Sequence, residues 1–384
     1  MRNKLTNIPT PAYVCEEALL KKNLELLDYV QKQSGAKIIL ALKGFAMYST
    51  FDIVAQYLQG CTSSGLHEAK LAREEFCKHN EKAEVHTYSP AFKDEDIEEI
   101  AAISNHIVFN SPSQLYKFAT KVKEINKNIE ISLRVNPEVS SSPVDIYNPC
   151  GIYSRLGTTF KNFDENVVEY LDGLNFHALC EQDADALEEV LSVFDEKFGK
   201  YLKNLKYINF GGGHHITKKG YDVEKLIWLI KEFKKKYNDI DVYLEPGEAV
   251  GWETGFLVSS VLDTFENGMN VAILDTSAEA HMPDTLAMPY RAMVRGSAEA
   301  GEKAYTYRLG GNTCLAGDIM GDYSFDKPLQ VGDQIIFEDQ IHYTFVKNTT
   351  FNGIKLPSLA IKREDGTIEI IKEFGYEDYK GRLS

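Results

Sequence analysis

Lys43 closes an apolar run, Lys37-Ile-Ile-Leu-Ala-Leu-Lys43-Gly-Phe-Ala46, of the kind that forms a buried strand. An unpaired ammonium in such a place is costly. Desolvation lowers a lysine's pKa and frees the lone pair that attacks an aldehyde to form a Schiff base. The plainer alternative is a strand end that keeps its charge in water and its stem on the core. Gly211-Gly212-Gly213 has backbone N–H groups that can surround an anion such as a phosphate, or it is an ordinary turn. Glu245, in Glu245-Pro246-Gly247-Glu248, could accept a hydrogen bond from a cationic ring nitrogen, or sit in a salt bridge. His177 could stack on a flat ring, or be a satisfied core histidine. His214-His215 has no partner at a metal-ligand spacing such as HExxH, so no metal is expected.

A second group lies far along the chain, in Gly310-Gly-Asn-Thr-Cys314-Leu-Ala-Gly-Asp318. A thiol among small residues can deliver a proton, and a carboxylate nearby can receive a cationic group. A small buried cysteine and a turn-capping aspartate are the structural alternatives. Tyr343 could donate its phenol to a phosphate, or pack as a core aromatic.

These residues need elements to position them. Eight short β-type runs are expected at 37–42, 60–63, 85–88, 106–109, 129–135, 174–179, 207–210 and 241–244, with amphipathic helical stretches between them. This pattern predicts an α/β fold, a (β/α)8 TIM barrel, with an open doubly wound sheet as the competing architecture. In a barrel, Lys43, His177, Gly211–Gly213 and Glu245 all fall where strands pass into βα loops, on one rim. After about residue 255 the texture changes to strands joined by turns, at 256–263, 271–275, 305–310, 334–337 and 359–362. The expected division is a barrel over 35–255 and a second, mostly β, barrel-like domain from 1–34 plus 256–384.

Bulk properties agree with a large globular protein. The 384 residues are 43% hydrophobic and 26% charged, enough for more than one small core. A formal net charge of -15 argues against nucleic acid as a partner and suits cationic ligands. Six scattered cysteines without a CxxC pair, no leader-like start and no long apolar run predict a cytoplasmic protein with no membrane partner.

With these residues laid out, the chain resembles the fold-type III pyridoxal-phosphate decarboxylases over essentially its whole length. The segments that carry the resemblance are Ala41-Leu-Lys-Gly-Phe-Ala46, Ile208-Asn-Phe-Gly-Gly-Gly-His-His215, Glu245-Pro-Gly-Glu-Ala249, Gly310-Gly-Asn-Thr-Cys-Leu-Ala-Gly-Asp318, and Ala280-His-Met-Pro-Asp284 with Met288-Pro-Tyr-Arg291. Within the family it is most similar to the branch acting on carboxypolyamines such as carboxynorspermidine and carboxyspermidine. The resemblance implies pyridoxal 5'-phosphate as cofactor and a homodimer with shared active sites. It implies Lys43 as the Schiff-base lysine, His177 as the stacking ring and Glu245 as the ring-nitrogen partner. Gly211, Gly212, Gly213 and Tyr343 then bind the phosphate, and Cys314 is presented from the partner chain. Glu248 stands where the ornithine and diaminopimelate branches carry an arginine, a change that disfavours a second substrate carboxylate. Glu248, Asp284 and Asp318 are the expected carboxylates for substrate amines. The alternatives are a decarboxylase of diaminopimelate, ornithine or lysine, or an amino-acid racemase of the same fold.

Overall fold

The computed structural model describes residues 5, 8–142 and 144–384, and every structural statement below concerns those residues. The expectation for the first four residues lies outside them. The chain divides into two compact units, Lys21–Val250, and Met1–Leu20 with Gly251–Ser384.

The first unit is built on a parallel sheet in the order Lys37–Ile38, Asp241–Leu244, Tyr207–Asn209, Gly173–Asn175, Glu130–Asn136, His106–Phe109, Glu84–Tyr88, Gly60–Ser63 and Leu40–Ala41. The two ends of this list are halves of one segment. Lys37–Ile38 pairs with Asp241–Leu244, while Leu40–Ala41 pairs with Gly60–Ser63. Ile39 N–H donates to Leu244 O and Leu42 N–H to Thr62 O, so the segment bridges both neighbours and closes a barrel. The strands are short and mostly buried, polar members such as Gly60–Ser63 included, because both faces of a parallel sheet are covered.

Helices return the chain between strands, their starts fixed by side-chain caps. Ser111, Asp183 and Asp222 accept from the N–H groups of Gln114, Ala186 and Lys225, at the heads of Pro112–Ile125, Ala184–Phe198 and Val223–Lys236. The run from Leu66 continues beyond Leu71 as a π turn over Ala72–Phe76. Low in the barrel Ile39, Tyr207 and Tyr243 pack together. His86 and His106 stack beside them with ring centroids 3.8 Å apart. A long excursion after Asn136 returns as Thr158–Thr159, which pairs with the end of Glu130–Asn136.

The second unit is a sheet in the order Ile319–Phe325, Tyr305–Gly310, Asn270–Leu274, Gly255–Glu266, Ala12–Glu16, Ser358–Lys362 and Ile368–Lys372. Gln334–Glu338 also pairs with Gly255–Glu266. That 12-residue strand is bulged between Val261 and Asp263, so its two halves serve different neighbours. Ile8, Ala12, Val14, Phe256, Val258, Ile336 and Ala360 form a core there.

Candidate active site

On the barrel, the residues marked out in the sequence gather around one amine. The strand stops at Ala41, and Lys43 sits in the turn that follows, closed by Gly44 N–H and Phe45 N–H to Ala41 O. The apolar run suggested a sealed amine; instead the side chain is open to solvent, although rim atoms crowd it from several sides. That crowding, followed by the Arg134 guanidinium, holds the Lys43 amine below the usual lysine range, and Glu245, Cys180 and Glu68 only partly offset it. Gly44 is a glycine because a Cβ there would stand 2.8 Å from Glu248 N and 2.9 Å from Gly247. The lysine turn and the Glu245–Glu248 loop therefore press against each other.

His177 lies just beyond Gly173–Asn175. Its Nδ1 accepts from Gly212 N–H at 3.0 Å, which leaves the ring proton on Nε2. Burial, then the charges of Lys43 and Arg134, push its pKa well below the usual histidine value. The ring is a neutral, oriented plate. Its carbonyl accepts from Arg134 Nη2 at 3.2 Å, and that guanidinium lies 4.7 Å over the Tyr88 ring.

The three glycines are required first by the barrel itself. A Cβ on Gly212 would stand 2.5 Å from Glu245 O, and one on Gly213 would stand 2.0 Å from Leu179 O. Gly211 and Gly213 also hold φ of +71° and +83°. Two of the three N–H groups are already engaged, Gly211 with Asn209 Oδ1 and Gly212 with His177 Nδ1. The loop is thus less open to an anion than its composition suggests. Gly213 N–H has no hydrogen-bond partner among the described residues.

Glu245 is buried, and Asn209 Nδ2 donates to its Oε1 at 2.8 Å. Asn209 thereby fixes the carboxylate with one end of its amide and the glycine loop with the other. Sequence reading missed the role of Asn209, which ends its strand and resembles an ordinary polar interruption there, while Arg134 could be placed at a strand end on the rim but given no partner. Glu248 begins the short helix Glu248–Gly251 on the same rim.

The remaining expected residues belong to the sheet unit. Cys314 is exposed, and its N–H donates to Asn352 Oδ1 at 2.7 Å. Asp318 is buried and accepts from Ser277, Ala278, Glu279 and Thr313. This leaves it poorly placed to meet a substrate amine. Asp284 is half-buried and paired with Lys347 Nζ at 2.6 Å. Tyr343 has φ of +28°, a strained backbone for an aromatic residue, with Lys347 Nζ 5.0 Å from its ring centre.

Among the described residues, Glu84, His86 and His106 form a group with possible metal-ligand atoms within 4.8 Å of one another. The two imidazoles are stacked 13° from parallel, both Nε2 atoms face Glu84 Oε2 at 3.0 and 3.7 Å, and Lys37 Nζ stands 3.6 Å from the same carboxylate. This arrangement suits a hydrogen-bonded barrel floor.

The sequence model of the family described as pyridoxal-dependent decarboxylase, C-terminal sheet domain, matches residues 12–340. A carboxynorspermidine/carboxyspermidine decarboxylase of Campylobacter jejuni is 56% identical, covering 98% of each chain. A carboxyaminopropylagmatine decarboxylase of Synechocystis is 44% identical, over 99% of this chain and 97% of its own. The crystal structure of carboxynorspermidine decarboxylase from Campylobacter jejuni, complexed with norspermidine, superposes with a TM-score of 0.90 at 54% identity. That match covers 98% of this chain and 100% of the other.

Proposed function

The chain belongs to the pyridoxal-dependent decarboxylases, carboxy-lyases that use pyridoxal phosphate, and we propose that it converts carboxynorspermidine or carboxyspermidine to norspermidine or spermidine with release of CO2. The observation that carries the substrate class is the full-length likeness to the Campylobacter relative of that name. The Synechocystis relative supports a second reading, carboxyaminopropylagmatine, which shares a carboxyl group on a cationic amine chain.

The residues on the barrel rim fit the cofactor. Lys43 offers an accessible amine with a lowered pKa, His177 a neutral flat ring locked by Gly212, and Glu245 a carboxylate held by Asn209. When bound, pyridoxal phosphate supplies an electron sink for the pair left on the α-carbon as CO2 departs. Lys43 would hold the aldehyde carbon, and His177 would cover one ring face. Glu245 would keep the pyridine nitrogen protonated. The glycine loop, chiefly Gly213 N–H, and Tyr343 would hold the phosphate.

Cys314 of the partner subunit would return a proton to the α-carbon, in a homodimer with shared sites. Glu248 and Asp284 would face the cationic amines, with the formal charge of -15 favouring such a ligand. No helix among the described residues is long and apolar enough to cross a membrane, and a cytoplasmic location accords with this reading. Lys43→Ala tests the core of the assignment: the variant is expected to lose the cofactor's covalent absorbance band and CO2 release together. A variant that keeps both would sink it.

A further inference from the structure

Asp318 was expected to receive a substrate amine, yet its surroundings describe another task. Its side chain is only 4% exposed. Oδ1 accepts from Ser277 Oγ at 3.0 Å, Ala278 N–H at 2.7 Å and Glu279 N–H at 3.3 Å. Oδ2 accepts from Thr313 N–H at 3.1 Å and Thr313 Oγ1 at 2.6 Å. A carboxylate has about four lone-pair sites, so these donors saturate it. No acceptor remains for a ligand.

The donors fall in two places that matter. Thr313 immediately precedes Cys314. Ser277, Ala278 and Glu279 open the short helix Ala278–His281, which leads directly to Asp284. The loop between is drawn tight around the same carboxylate. Gly311 N–H donates to Asp318 O at 2.8 Å, and Asp318 N–H donates to Leu315 O at 3.0 Å. A Cβ on Gly311 would stand 2.2 Å from Asp318 Oδ2, so the backbone has closed onto the carboxylate as far as glycine permits.

We propose that Asp318 is a positioning residue that fixes the Cys314 loop against the 277–284 segment, so that the thiol is held in one place while proton transfer occurs. It acts through Cys314, and it rests on the reading of Cys314 as proton donor. Charge-assisted hydrogen bonds are stronger than neutral ones, which suits a carboxylate over an amide at this point. Asp318→Asn would turn an NH2 group towards at least two donors that now meet an oxygen, whichever way the amide is placed.

The experiment combines two readouts on the cofactor-loaded protein. Alkylation of Cys314 by iodoacetamide is followed by peptide mass spectrometry without substrate, and kcat and KM are measured with carboxynorspermidine. In Asp318→Asn, Cys314 labelling is expected to rise roughly tenfold as the loop loses charge-assisted bonds. Turnover should fall, with KM and the cofactor's absorbance unchanged. Thr313→Val should move both readouts in the same direction by a smaller step, and Thr313→Ser should restore them, which covers the case that Asp318→Asn does not fold.

A raised KM with unchanged labelling would return Asp318 to substrate binding and overturn the proposal. A lowered melting temperature with unchanged labelling and kcat would reduce it to a purely structural anchor, which also overturns it. Wild-type protein inactive on every carboxypolyamine would refute the proposed function instead, and the labelling comparison would still decide the role of Asp318.

Discussion

Crowding and a neighbouring guanidinium both favour the neutral form of Lys43, which is the nucleophilic form. Arg134 is therefore expected to matter without touching substrate. Arg134→Met should raise the amine's pKa and move the pH at which cofactor loading is half-maximal upward. Titration of the absorbance band checks this, and an unmoved midpoint would remove Arg134 from the account. Asn209 presents a second case at the same scale. Asn209→Leu strips a donor from Glu245 and an acceptor from Gly211 N–H, two buried polar groups at about 1–3 kcal/mol each. Weaker cofactor binding and a lower melting temperature are expected together; unchanged affinity would show that Glu245 needs no such orientation. Asn209 could not be picked out from the sequence, and Arg134 could be placed on the rim but not beside Lys43, because a polar residue of a strand reveals its role only when the neighbouring strand is in place. Lys43, Glu245 and the glycines could be read because they stand at the ends of apolar runs, where local pattern and site coincide.

At the scale of elements, most barrel strands are where their apolar runs predicted. His106–Phe109, Gly60–Ser63 and Asp241–Leu244 match to the residue. Gly173–Asn175 is shorter than expected, since the chain leaves the sheet to present His177. The strand Ile319–Phe325 was not anticipated, because Gly321 and Asp322 interrupt its pattern and Gly321 holds a φ of +140°. The first strand's division and the barrel-floor cluster depend on contacts across the ring, which periodicity does not encode. The glycine loop carries a direct prediction. Gly213→Ala meets both an unfavourable backbone angle and Leu179 O, for a cost of about 2–5 kcal/mol in calorimetry. A tolerated alanine would show that the loop can move aside.

The barrel floor carries a pH prediction. Burial holds His106 well below the usual histidine pKa, helped by His86. Burial would raise Glu84, but the His86 hydrogen bond and the charges of His86, His106 and Lys37 bring it down to about 2. Both groups bind fewer protons folded than unfolded, so stability falls as pH drops, first below the ordinary histidine value of 6.5 and then below the ordinary glutamate value of 4.5. Histidine 106 changed to asparagine (His106→Asn) should flatten the first part of the melting-temperature profile, between about pH 5 and 7. An unaltered slope would place the acid sensitivity elsewhere.

For the whole molecule, the central claim is that an acidic chain of this family removes CO2 from a carboxypolyamine. Cys314 of the second unit is exposed, and Glu248 by resemblance stands where the diaminopimelate branch carries an arginine; these two residues favour the proposed reading over a racemase and over a diaminopimelate decarboxylase. The most direct test is CO2 release by the purified, cofactor-loaded protein offered carboxynorspermidine, carboxyspermidine and carboxyaminopropylagmatine, with ornithine, lysine and diaminopimelate as controls. The account predicts release from at least one of the first two, with little or none from the three amino acids. Release from diaminopimelate, ornithine or lysine but from neither carboxynorspermidine nor carboxyspermidine would contradict it.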